Sequence, residues 1–178
     1  MSAPDPTPVP LRLTGRPTIG GLVVPWLTGL TSDGRHRFGT IDADRLHLAH
    51  HNGLCQICGD RLNSRIVFAM RIGDIRRLIS PEPGMHPECA AYSATACPML
   101  AGRMTHYRAA PTTAGITDLN VAQLGDPHHA RPGTAAEMWC LVWVSRYQPI
   151  LDPVTRLSAA LILPESVLRI RRPGGDRD

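Results

Sequence analysis

The stretch Cys55-Gln56-Ile57-Cys58-Gly59, answered further along by His86-Pro87-Glu88-Cys89, decides how this chain is read. Two pairs of soft, ionisable donors at CxxC and HxxC spacing each span one tight turn, and together they can close a tetrahedron around one zinc ion. Gly59 suits the turn that aims backbone amides at the thiolates. A CxxC can also be a redox dithiol, but that motif leads into a helix in a βαβ setting. Here residues 65–71, RIVFAMR, follow and read as a strand. The expectation is one structural Zn2+ on Cys55, Cys58, His86 and Cys89.

Working outward, residues 42–51 read as a helix that Asp42 can cap, with Leu46 and Ala49 or His50 on one face. Asn52 and Gly53 tolerate left-handed geometry and end it. His47 and His51 share a helix face, yet histidines at a helix C-terminus chiefly complement the dipole. Beyond the strand, residues 74–79 can pair back or turn, and residues 80–84, SPEPG, are a loop. That loop delivers His86 to a helix with Pro87 in its first turn, alanine-rich until Pro98 stops it. Cys97 reads as a buried free thiol and is the replacement ligand if His86 is not one. Arg103, His106, Tyr107 and Arg108 then mix basic and aromatic groups, a candidate nucleic-acid contact.

The flanks divide by composition. Residues 1–16, with prolines at 4, 6, 8 and 10, are expected to be a disordered Pro-rich tail. Residues 17–108 hold the metal-binding region and a preceding hairpin over 17–38. The hairpin turns at Asp33-Gly34, with Pro25 at an edge or bulge and Trp26 in the core. Residues 109–134, including His128 and His129, read as a linker or long loop. Residues 135–172 form a C-terminal β segment packed on the main body, and residues 173–178 fray. Trp139 and Trp143 face one side of its first strand, expected to sit in a core or on the N-terminal hairpin. An open edge on that strand would suit a protein partner. Arg169, Arg171 and Arg172 make a small basic cluster at the end of the last strand.

Composition bounds the rest. The 178 residues fit one domain with loose ends, and the formal charge of +4 with pI near 9.1 favours polyanionic partners without requiring them. All 19 basic side chains are arginine, the residue suited to bidentate phosphate and carboxylate contacts. The first residues lack the basic and apolar regions of a signal peptide, and five cysteines then suggest a reducing, cytoplasmic setting. No apolar run approaches the ~20 residues of a membrane span, so no membrane partner is expected. There is no glycine-rich phosphate loop in strand–turn–helix context, and no nucleophile near a base and an orienting acid.

The order of knuckle, strand or hairpin, and a helix whose first turn supplies the second ligand pair resembles the treble-clef zinc finger over about residues 45–104. The wider sequence also resembles a group of uncharacterised proteins from high-GC bacteria and their phages, which implies no activity. Among treble clefs, HNH endonucleases share the helix, CxxC and glycine. That likeness implies an Asp–His pair between the ligand pairs, the histidine activating water and the aspartate helping to bind a catalytic metal. The interval here holds Asp60, Asp74 and Glu82 but no histidine before His86, leaving His50 or His51 as substitutes. The expected fold is therefore α+β, a treble-clef-like zinc-binding centre with N-terminal and C-terminal antiparallel strands and no catalytic residues. The expected function is a zinc-stabilised binding protein or adaptor that contacts DNA or RNA through Arg103, Arg108, Arg169, Arg171 and Arg172. The alternatives are a protein–protein or regulatory module and a diverged HNH-like metal-dependent endonuclease.

Overall fold

A computed structural model describes residues 7–107 and 133–173. A short 3-10 helix (Leu11–Leu13) leads into β1 (Thr18–Ile19), β2 (Leu22–Val23), β3 (Thr28–Leu30), β4 (His36–Ile41) and α1 (Ala43–Asn52). Then come β5 (Ile66–Arg71), α2 (Ile72–Arg77), β6 (Ile79–Ser80) and α3 (Pro87–Ala96). The C-terminal part contributes β7 (Trp139–Val144), β8 (Tyr147–Leu151), β9 (Ser158–Ile162) and β10 (Val167–Arg171). The protein is α+β with antiparallel sheets and few helices.

All six residues of β5 are buried, because its sheet, ordered β10–β7–β5, is covered on both faces. The register pairs Val67 with Trp143 and Ala69 with Leu141, and this face packs on Leu13, Cys55, Ile57, Met85, Cys89, Ala90 and Tyr92. Alternation turns Ile66, Phe68 and Met70 the other way, beside Val142 and Val144, onto Ala160 and Ile162. Two-sided burial is why RIVFAMR reads as a continuous apolar run rather than an alternating one. The second face belongs to a sheet ordered β6–β9–β8, on which α1 is anchored: the Tyr147 hydroxyl donates to the His50 carbonyl at 2.7 Å.

Several expectations change here. Residues 7–16, assigned to a disordered tail, include a 3-10 helix with Leu13 1% exposed in the core, because Leu13 fills the face that the ligand turns leave open. The N-terminal hairpin is two: β1–β2 and β3–β4, the latter joined through Asp33-Gly34, with Pro25 in the connection between them. Residues 74–77 lie in a helix, α2. The tryptophan-bearing strand β7 sits centrally between β5 and β10, with Trp139 and Trp143 in the core cluster that Leu22 and Val23 of the N-terminal hairpin also join, and among the described residues β10 is an edge strand of the sheet. The expected linker falls almost wholly, and the frayed terminus mostly, outside the described residues. Among the described residues no helix is long and apolar enough to cross a membrane.

Candidate metal centre

The first ligand turn is set by the end of α1. Asp42 accepts from the Arg45 amide at its start, and Gly53, at φ 64°, closes it in the left-handed region. The chain then doubles back: the Cys55 amide donates to the Asp60 carbonyl at 2.8 Å, the Gly59 amide to the Cys55 carbonyl at 2.8 Å, and the Leu62 amide to the Gly53 carbonyl at 2.7 Å. The Asp60 amide points at Cys58 Sγ, 3.4 Å away, the donor a thiolate needs.

Trp26 lies on this turn rather than in the core. It is half-buried, its amide donates to the Ile57 carbonyl at 2.9 Å, and its carbonyl accepts from Arg45 at 2.6 Å. A Cβ on Gly59, where φ is 86°, would stand 2.7 Å from Trp26 Cδ1, so the site needs glycine for both conformation and space.

The second turn is delivered by β5. Val67 and Met85 exchange backbone hydrogen bonds at 2.9 and 2.8 Å, placing His86 as the N-cap of α3 with Pro87 at its first position. Gln56 ties the two turns together, its amide donating to the Gly84 carbonyl at 3.1 Å and its side chain to the Pro83 carbonyl at 2.6 Å. As a result, one donor atom from each of Cys55, Cys58, His86 and Cys89 lies within 4.8 Å of the others. Cys55 and Cys89 are fully buried and His86 is 1% exposed.

The chemistry of this set fits a metal ion. His86 Nε2 lies 3.0 Å from the Arg61 carbonyl, which can only accept, so the proton sits on Nε2. Nδ1 is thereby left with a free lone pair, 3.4 Å from Cys58 Sγ. Hydrogen bonds from Cys58 and Cys89 pull the Cys55 thiol down to about 3, while hydrogen bonding to Cys55 and Cys58 and burial push the Cys89 thiol far up. A cation that joins crowded sulfurs favours their thiolate form. Cys97 lies outside the cluster at the C-cap of α3, and none of the described cysteines is in a disulfide.

Arg12, from the segment expected to be disordered, bridges both turns: Nε donates to Glu88 at 2.7 Å and Nη1 to Asp60 at 3.1 Å. The Arg12 guanidinium holds the Glu88 carboxyl below its ordinary value. The signal available in sequence was Leu-Arg-Leu directly after the alternating prolines, an apolar pair with a charge between.

The other candidates do not gather here. Arg103 donates to the Thr95 and Ala96 carbonyls at 2.9 and 3.0 Å, satisfying the C-terminal carbonyls of α3. Arg108 lies outside the described residues. Arg169, on β10, lies 4.1 Å over the Trp143 ring of β7, with Arg171 on the same face, and Arg172 follows the strand. His50 is buried, its Nε2 3.3 Å from the Pro81 carbonyl, and burial lowers its pKa to about 4. Asp60 pairs with Arg12, and Asp74 is held at 2.6 and 2.7 Å by the buried Arg71 guanidinium. No protein-family model, curated protein or solved structure gives a significant match to the chain.

Proposed function

We propose that the chain is a non-catalytic binding protein or adaptor, stabilised by one structural zinc ion in a treble-clef-like centre, that contacts nucleic acid through arginines of its C-terminal strand. The observation that carries this reading is the four-donor cluster itself. Three thiols and one imidazole supply every position of a zinc tetrahedron, and three of the four residues are buried, so no position is left for water or substrate. The sequence of turn, strand β5 and helix α3 supports the treble-clef comparison, with α2 and β6 inserted before the second ligand pair. Zinc in such a module contributes folding free energy on the order of ten kcal/mol at neutral pH.

For the partner, Arg169, Arg171 and Arg172 are exposed together on and just after β10, an edge strand among the described residues, where guanidinium groups can meet phosphates by charge and bidentate hydrogen bonds. Titration of the zinc-loaded protein with duplex DNA, single-stranded DNA and RNA at two salt concentrations tests this. Affinity should fall with salt, and Arg169→Ala should reduce the salt slope by about one. Absence of binding at low salt would remove the nucleic-acid part. A second reading has one observation of its own: Leu168 and Ile170 are 58% and 49% exposed on that same edge strand. Such an edge can add a strand from a protein partner.

A further inference from the structure

His47 and His51 stand one turn apart on the exposed face of α1, their ring centroids 4.2 Å apart and their planes tilted by 33°. Imidazoles at i and i+4 are spaced so that a helix can offer two nitrogens to one ion. His50, between them in sequence, is buried and takes no part.

Three features of the surroundings bear on that pair. His47 Nδ1 lies 3.0 Å from Ser158 Oγ on β9. Ser158 Oγ can accept from Nδ1–H, the tautomer that leaves the Nε2 lone pair for a metal, and a partner in that place fixes the ring's orientation. The pair also sits toward the carbonyl end of α1, where the helix dipole is negative. Asp44, exposed one turn earlier on the same stripe, adds a full negative charge. Finally, the helix end is fixed, by the Tyr147 hydroxyl on the His50 carbonyl at 2.7 Å and by left-handed Gly53.

We propose that His47 and His51 form a second, exchangeable site for a late first-row divalent cation such as Zn2+, Ni2+ or Cu2+, the ions that imidazole suits. The site is distinct from the cysteine cluster, which among the described residues is the one group that brings three or more donors together. With two side-chain donors on an exposed helix face, water completes the coordination and the ion exchanges freely with solution. The buried sulfur site, by contrast, holds its ion closed off.

Ni2+ is the probe of choice, because Cu2+ would oxidise the thiolates. Calorimetric titration of the full chain, loaded beforehand with one equivalent of zinc, should show one saturable Ni2+ site. His47→Asn and His51→Asn should each abolish it while keeping the wild-type melting curve, since both side chains are exposed. Ser158→Ala should weaken it about tenfold, and replacing His128 and His129 with asparagine should leave it unchanged. In the wild-type protein, paramagnetic Ni2+ should broaden the His47 and His51 ring signals before any others. Saturable binding that survives the His47→Asn/His51→Asn double variant, or that disappears with His128 and His129, would overturn the proposal.

Discussion

Gly59→Ala isolates the fit between the first ligand turn and Trp26. At φ 86° an alanine pays the left-handed penalty, roughly 1–2 kcal/mol. Its Cβ would also meet Trp26 Cδ1, Cγ and Nε1 at 2.7, 2.8 and 3.0 Å. The ring cannot easily retreat, because the Trp26 amide and carbonyl are both hydrogen-bonded and Arg45 lies 5.5 Å over it. Overpacking of this kind costs about 1–3 kcal/mol, so the total should be roughly 2–5 kcal/mol. That is a large part of a typical 5–15 kcal/mol stability. Urea unfolding of the zinc-loaded protein measures it, and the cycle with Trp26→Ala separates the two contributions. Removing the ring should relieve the steric part, giving a coupling of about 1–3 kcal/mol and leaving the backbone part behind. A single-variant loss under about 0.5 kcal/mol, the level of an ordinary surface change, would refute the reasoning.

Asp74→Ala strips the buried Arg71 guanidinium of its bidentate partner and should cost about 3–5 kcal/mol in denaturant unfolding, with Glu137 too exposed to replace it. The depressed pKa of His50 means that the unfolded chain binds its proton first. Stability should therefore be whole above the unfolded value near 6.5 and decline as pH falls toward about 4. By linkage the loss is roughly 3 kcal/mol, and His50→Leu should flatten that part of a pH-dependent melting series relative to wild type. Arg12→Met removes two part-exposed ion pairs and should cost only about 0.5–1 kcal/mol of stability. Because Arg12 joins the two ligand turns, zinc transfer to a chromophoric chelator should nonetheless be faster in that variant, an effect that Arg12→Lys should partly restore.

What was legible in the chain came from local rules. Asp42 and Gly53 mark the ends of α1, Pro87 opens α3, and the donor spacing at Cys55, Cys58, His86 and Cys89 identifies a cluster that the structure does assemble. What was hidden depends on partners distant in sequence. Leu13 is an unremarkable residue beside a proline tract until the face formed by Cys55, Cys89 and Tyr92 exists to receive it. The six residues of α2 are too few for a helical period to show, and β7 gives no hint that β5 and β10 flank it. Arg103 looked available because charge is visible in a sequence, whereas the bare carbonyls of Thr95 and Ala96 that engage it are not.

X-ray absorption at the zinc edge of the purified 178-residue chain, with metal quantified per chain, tests the central claim most directly. The account predicts one zinc with three sulfur neighbours near 2.3 Å and one nitrogen near 2.0–2.1 Å, the shell reverting to two sulfurs in Cys55→Ser if metal is retained at all. A shell of four sulfurs, which would bring in Cys97 for His86, or a protein that folds fully without metal, would contradict it.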